Sequence, residues 1–312
     1  PANVVVWLIS PTGSEVKTVF LPEPVLTAKV QALVSSVQAA SRDFARTAAE
    51  TLYTYLLAPF AAHLKEGRLL VVPQGVLVNL PFEVLVDPAS GKHLIETVEV
   101  SYAPSATLAA EILRGLDGAP AALAAVYDPR IEALTQEIAG LGRLPGIDVD
   151  KLASAGATGQ QIIDFLGSAP GVHVLLHGVF AEGGDPLQSY LRIKNLLLKG
   201  EADRLTAAEL LAADWQATKL AVLSSCEGGR VRARVSNEIH GLSWAPLVGG
   251  AHNVLVSRWR VNAVSNGAWM QRFYQALAAG ERPATAAARA MRAALKGQPH
   301  PYHWAAPQLF GW

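Results

Sequence analysis

The sequence predicts an α/β protein built on a mostly parallel sheet, and three observations predict it. From Ala121 onward, short continuous apolar runs alternate with segments of helical period. That is the pattern of strands buried between two layers of helix. Two of the runs stop abruptly at small or polar residues, at His177-Gly178 and Ser224-Ser225. The chain is 51% hydrophobic and 17% charged over 312 residues, enough for a sizeable core and too apolar for wholesale disorder.

The elements follow in order. Val4–Ile9 and Val16–Leu21 flank Pro11-Thr12-Gly13 and predict a β-hairpin. Leu26–Leu64 has helical spacing, much Ala and little Gly, and predicts one long helix or two joined ones. Arg68–Val72 predicts a short buried strand ending at Pro73-Gln74-Gly75. Leu94–Tyr102 alternates like a strand, and Ala106–Leu116 reads as helix. A seam near Gly118-Ala119-Pro120 divides an irregular first part, 1–118, from a regular second part, 119–312. There Ala122–Tyr127 is a strand, Glu132–Leu141 a helix and Gly142–Gly159 a loop rich in Gly, Pro and Ala. Thr158 caps a helix to Leu166. Val172–Leu176 is a buried strand stopped by His177-Gly178, and Tyr190–Ile193 a short strand. Thr206-Ala207-Ala208-Glu209 has capping-box spacing and starts a helix to Ala213. Leu220–Leu223 and Asn253–Val261 are strands. Ile239–Val248, Ala263–Ala279 and Pro283–Leu295 are helices.

Composition narrows the function. Lys+Arg and Asp+Glu balance at 26 each, against the basic excess of a nucleic-acid binder. One Cys excludes an internal disulfide framework and any Cys-based zinc site, and fits a reducing, cytoplasmic setting. No apolar stretch approaches the roughly 20 residues needed to span a bilayer, so no membrane association is expected. The start, Pro1-Ala2-Asn3-Val4, lacks a basic signal-peptide region and an initiator Met, as expected of a processed chain or a piece of a longer one. No Gly-x-Gly-x-x-Gly or Walker loop occurs, so no nucleotide cofactor is expected.

Chemistry is expected beyond the carboxyl ends of the parallel strands. One strand ends in His177-Gly178 and another leads to Cys226, the lone thiol. If those strands are neighbours, both side chains emerge at one edge. A Cys beside an imidazolium shifts toward thiolate, and the imidazole then protonates a leaving amine. Gly178 has no Cβ to block a substrate carbonyl, so its N–H and that of Cys226 suit an oxyanion hole. His177 precedes Cys226 by 49 residues, close to the ~50 that separate His from Cys in caspases.

Other readings compete. A lone Cys ending an apolar strand is often a small buried hydrophobe. His173, inside its strand, reads as a core or supporting histidine; His63, His93, His240 and His252 read as structural or exposed. His300 and His303 have no acidic neighbour in sequence, so no metal site is expected there. The Trp residues read mostly as core. Arg230, Arg232 and Arg234 form either a solvated stretch, a contact surface or a cleavable linker. Ser224-Ser225-Cys226-Glu227-Gly228 is a near miss to the nucleophile elbow of an α/β-hydrolase esterase. That fold would need Glu227, Glu238 or Glu281 as acid and His300 or His303 as base, because no Asp follows Cys226.

With these residues in view the chain resembles the CHAT family, caspase-like cysteine peptidases often fused to tetratricopeptide repeats. Val71-Val72-Pro73-Gln74-Gly75, Leu80-Pro81-Phe82-Glu83-Val84-Leu85 and Val100-Ser101-Tyr102-Ala103-Pro104-Ser105 are similar to its early blocks. His173–Gly178, Leu205–Glu209 and Leu223–Gly229 are similar to its central ones. Glu238, Gly241-Leu242, Gly250-Ala251, Ser257-x-Trp259-x-Val261, Phe273-Tyr274 and His300–Ala306 continue the order. The chain departs from the family at Asn262-Ala263, where Asp is usual, and in the loop Val179–Pro186.

The resemblance implies a caspase-like three-layer fold, preceded by a smaller pseudo-caspase α/β subdomain. It also implies a Cys–His endopeptidase acting on protein partners, without cofactor or metal. Cys226 is the implied nucleophile and His177 the implied base. By analogy with caspases, Ser257, Arg258 and Trp259 pair with the substrate backbone. Glu182 and Asp185 are acidic residues placed to suit a basic side chain before the scissile bond. Besides a protein substrate, the expected partners are a regulatory protein or a fused tetratricopeptide-repeat region. The alternative is a catalytically idle interaction module of the same fold.

Overall fold

The computed structural model describes residues 4–64, 67–115, 118–179, 185–193, 203–224, 241–259 and 263–312. The hairpin forms as expected, with β1 (Val4–Ser10) and β2 (Gly13–Val19) antiparallel. Its alternation leaves Val5, Trp7 and Ile9 on an open face, with Trp7 66% exposed. Trp7 is thus an exception to the expectation that the tryptophans are core. The long helical stretch resolves into α1 (Glu23–Val37) and α2 (Arg46–Leu56), followed by 3₁₀ turns over Ala58–His63 that are kinked at Phe60. Between the two helices, Ser36 Oγ accepts from the Ala45 N–H and so pins the connection.

β3 (Gly67–Val71) and β4 (Val98–Tyr102) are parallel neighbours joined by short 3₁₀ turns. One of these turns, Leu94–Glu96, occupies the first part of the expected strand Leu94–Tyr102. α3 (Ala106–Arg114) starts where the Ser105 hydroxyl accepts from Leu108 N–H.

The second part alternates between strand and helix: β5 (Ala122–Tyr127), α4 (Glu132–Leu141), β6 (Asp148–Ala153), α5 (Gly159–Leu166) and β7 (Gly171–Leu175), all but β6 as predicted. β6 lies inside the stretch expected to be loop. It is an edge strand with Asp148, Asp150 and Lys151, a composition that reads as loop but suits an unpartnered sheet edge. β8 (His177–Val179), β9 (Tyr190–Arg192) and β10 (Arg204–Thr206) form a small antiparallel sheet beside the main one. α6 (Ala207–Ala212) begins with the anticipated capping box, in which Thr206 Oγ accepts from Glu209 N–H and the Glu209 carboxylate accepts from Thr206 N–H. β11 (Leu220–Leu223), α7 (Gly241–Val248), β12 (Val254–Ser257), α8 (Ala263–Ala278), α9 (Pro283–Gly297) and β13 (Pro307–Phe310) complete the chain.

β3, β4, β13, β12, β11, β7, β5 and β6 form one eight-stranded sheet in that order. Every described pairing in it is parallel except β12 with β13. β13 was not expected from sequence, because it is short and opens on Pro307. It runs between the two parts of the chain, pairing with β12 on one side and through Phe310↔Tyr102 with β4 on the other. The sheet therefore continues across the seam near Gly118.

Right-handed crossovers put α4 on one face of the sheet and α5, α6 and α7 on the other, because the order reverses after β6. α8 packs against both α4 and α9 on the first face. The sheet is thus covered on both sides. Trp269, Trp304, Tyr102, Tyr274 and Phe273 are the bulkiest of its fully buried neighbours.

Candidate functional site

β11 lies between β7 and β12 and is parallel to both. The carboxyl ends of β7 and β11 therefore open on one edge, as the dyad hypothesis requires. The last bond between them runs from Ser224 N–H to the Val174 carbonyl, 3.0 Å. The chain bends at Leu176, and His177 starts β8, so this half-buried imidazole stands where the chain leaves the main sheet for the small one. β8 is held by β9 in the register His177↔Arg192, Gly178↔Leu191. The order of strands also reverses between β5 and β7, and there Asp128 N–H donates to the Leu175 carbonyl. This is the crevice position of an open α/β sheet.

Cys226, two residues beyond Ser224, lies outside the described residues, as do Glu182, Arg230, Arg232, Arg234, Glu238 and His240. Gly178 is buried in β8. Asp185 is exposed, and its Oδ1 accepts from Leu187 N–H at 3.0 Å, which sets up the following turn.

Ser257, Arg258 and Trp259 end β12 on the same side of the sheet as His177. Their backbone and side chains differ in role. Pairing with β11 stops at Leu223↔Val256, whereas pairing with β13 continues to Ser257↔Pro307 and Arg258 N–H···O=C Ala306. All three side chains turn inward. Ser257 Oγ donates to the Trp259 carbonyl at 2.7 Å, and Trp259 Nε1–H donates to the Tyr302 carbonyl at 3.1 Å.

Arg258 is only 6% exposed and makes a two-pronged ion pair with the fully buried Glu83, Nη1 to Oε2 at 3.2 Å and Nη2 to Oε1 at 3.4 Å. Its Nη1 also donates to the Ala305 carbonyl, and its guanidinium carbon lies 4.8 Å over the Tyr102 ring. Burial alone would lower the guanidinium pKa, but Glu83 and Tyr102 outweigh it and hold the group above its ordinary value. Burial pushes the Tyr102 phenol well above its ordinary value, so it stays protonated and donates to Glu83 Oε2 at 2.7 Å. This cluster joins the Leu-Pro-Phe-Glu block of the first part to the strand end of the second. Glu83 stood in a quoted motif without a role. The available signal was a charge in the otherwise apolar Leu80–Val86 run.

His173, His93 and His63 fall as read, and His300 is held at both ring nitrogens. His173 is buried in β7 against Tyr274, and His93 packs between Phe44 and Trp304. His63 bonds to Glu15 of the hairpin. His300 donates through Nε2 to the Arg42 carbonyl at 2.8 Å and accepts at Nδ1 from Tyr302 N–H. Both its ring nitrogens are occupied, which leaves it no lone pair for the base role that the esterase reading would require. Among the described residues no group of three His, Cys, Asp or Glu side chains could hold a metal, and no helix is long and apolar enough to cross a membrane.

The mostly parallel sheet covered by helices on both faces makes this a caspase-like α/β fold, and the solved structures similar to this chain agree. The Arg-specific cysteine proteinase gingipain R matches 90% of this chain and 73% of its own, with TM-score 0.54 and 13% identity. The complex of Porphyromonas gingivalis RgpB pro- and mature domains gives TM-score 0.51 at 11% identity over 93% of this chain and 77% of the other. The Saccharomyces cerevisiae separase–securin complex matches 74% of this chain and 14% of the other, with TM-score 0.51 and 12% identity. At these identities the likeness is one of fold. The CHAT domain family matches residues 46–312, and the chain belongs to that family. Human tetratricopeptide repeat protein 28 is 25% identical over 337 aligned positions, covering 89% of this chain. The chain spans 14% of that relative's length.

Proposed function

We propose that this chain is a cysteine endopeptidase that cleaves a protein partner in the cytoplasm. The adjacency of parallel β7 and β11 carries the reading, since it brings the root of the Cys226 segment beside the strand that leads to His177. The Cys226 thiolate attacks the scissile carbonyl. The N–H groups of Gly178 and Cys226 hold the oxyanion, each donor being worth about 10²–10³ in rate. His177 gives its proton to the leaving amine, and water then hydrolyses the thioester. The substrate strand adds to β12 along Ser257, Arg258 and Trp259, on the side that β11 leaves at Val256. Glu182 and Asp185 select a basic residue before the cleaved bond. Parts 1–118 and 119–312 act as a pseudo-caspase and a catalytic subdomain sharing one sheet.

The test is cleavage of a peptide library read by mass spectrometry. Cys226→Ala and His177→Ala each abolish the wild-type cuts. Full cleavage by Cys226→Ala rejects the mechanism.

A second reading is favoured by the hairpin, whose outer face exposes Val5, Trp7 and Ile9 at 51%, 66% and 80%. An open apolar face of this kind suits a contact with a regulatory protein or a tetratricopeptide-repeat region. In that reading the module binds and the dyad is idle. A thiol-directed peptide probe separates the two. Capture that requires His177 supports the enzyme, and no capture supports the scaffold.

A further inference from the structure

A buried polar chain that the proposed chemistry does not use meets the end of β11. His173 on β7 is 0% exposed, and its Nδ1 lies 2.6 Å from the Tyr274 hydroxyl of α8. Burial, reinforced by the negative charge of Glu137, holds the Tyr274 phenol well above its ordinary value. The phenol is therefore protonated, and it shares one short hydrogen bond with Nδ1. Nε2 lies 3.2 Å from Oε1 of Glu137 on α4, a carboxylate only 6% exposed. Asn266 of α8 sends its amide N–H groups to Glu137 Oε2 at 3.4 Å and to Ser224 Oγ at 3.2 Å.

The sheet register explains the meeting. Val222 pairs with His173, and residues two apart on a strand share a face. Ser224 therefore lies on the face of His173, under the helices that carry Glu137 and Asn266. The chain is poorly optimised for stability. His173 Nε2 and Glu137 Oε1 face each other without an aligned hydrogen bond, and a buried carboxylate so placed is costlier than an apolar pair.

We infer that Asn266 and Ser224 are positioning residues, which fix the root of the segment bearing Cys226, with Glu137 accepting from the Asn266 amide on the other side. The inference deepens the reading of Cys226 as nucleophile and rests on it for its bearing on catalysis. Ser224 is the last described residue before that segment, and its backbone is already held by Val174. The Asn266 bond fixes its side chain as well.

The chain has one cysteine, so alkylation by iodoacetamide reports Cys226 alone. Its rate is measured in wild type, Ser224→Ala, Asn266→Ala, the double variant and Ser224→Thr, at a temperature where circular dichroism shows each protein folded. The expected result is a rate change of about fivefold in either single variant, no further change in the double, and recovery in Ser224→Thr. Wild-type rates in both single variants, or effects that multiply in the double, overturn the inference. In peptide cleavage the same single variants lower kcat and leave KM unchanged. Failure of the protease reading shows separately, as wild-type protein that cuts no peptide together with His177→Ala alkylated at the wild-type rate.

Discussion

Glu83→Gln tests the joint between the two parts of the chain. The substitution keeps the shape of the side chain and removes the charge that balances Arg258. Glu83 is fully buried, accepts from Arg258 Nη2 and from the Tyr102 hydroxyl, and has its Oε2 in ion-pair reach of Nη1. Without the carboxylate, Arg258 stays 6% exposed with no counter-charge within its reach among the described residues. Removing one partner of a buried ion pair costs roughly 3–5 kcal/mol. The amide oxygen of Gln still accepts one bond, which places the expected loss near the lower end, at about 3 kcal/mol. For a chain of this length each kcal/mol moves Tm by roughly 2 °C, so a fall of about 6 °C is expected in thermal unfolding followed by circular dichroism. The partner variant is Glu83→Leu with Arg258→Met. It removes both charges but leaves the Tyr102 hydroxyl without its acceptor and the Ala305 carbonyl without the Arg258 donor, each a cost of about 1–3 kcal/mol. Its loss should therefore be of the same order as that of Glu83→Gln. A Glu83→Gln protein melting within about 1 °C of wild type would refute the view that this pair is a buried, charge-balanced joint.

Gly311→Ala should destabilise by more than about 2 kcal/mol, because Gly311 has φ 143° and a Cβ there would run into the Asn253 carboxamide, which accepts from Trp312 N–H. The readout is the urea midpoint, and a wild-type value would show that this backbone relaxes freely. Thr206→Ala removes the acceptor for Glu209 N–H and should cost about 1 kcal/mol by the same measurement, with Thr206→Ser close to wild type. Acidification should weaken the fold through His93. Burial depresses its pKa, opposed by its bond to the Val84 carbonyl and by Glu96, with Arg46 adding to the depression. The neutral ring is the folded form, so its stability is fully present above the ordinary histidine value of about 6.5 and is lost as pH falls through the lower folded value. Tm measured from pH 7.5 to 5 should fall, and His93→Gln should flatten part of that slope. An unchanged slope in the variant would remove His93 as a source.

Local chemistry was legible along the chain. β5, β7 and β11 are continuous apolar runs because both their faces are covered, and such a run declares itself without reference to neighbours. Thr158 and Thr206 announce their helices because a cap is satisfied within three residues. The block order that resembles the CHAT family was legible for the same reason; that His177 opens a strand of its own, β8, was not. β6 and β13 were not. The first is an edge whose exposed Asp and Lys resemble a loop, and the second is a four-residue strand starting at Pro307 whose identity comes from the β4 and β12 edges it joins. Arg258 reads in sequence as a residue of the cleft border. Its guanidinium turns instead to Glu83, 175 positions earlier, because no solvent-facing position offers a buried cation an equal counter-charge. The sequence by itself thus determined the buried inner strands, most of the helices and which residue types can do chemistry. Only tertiary structure decided which strand ends are neighbours and which buried charges are paired, because both depend on contacts between residues far apart in the chain, and local periodicity holds no information about them.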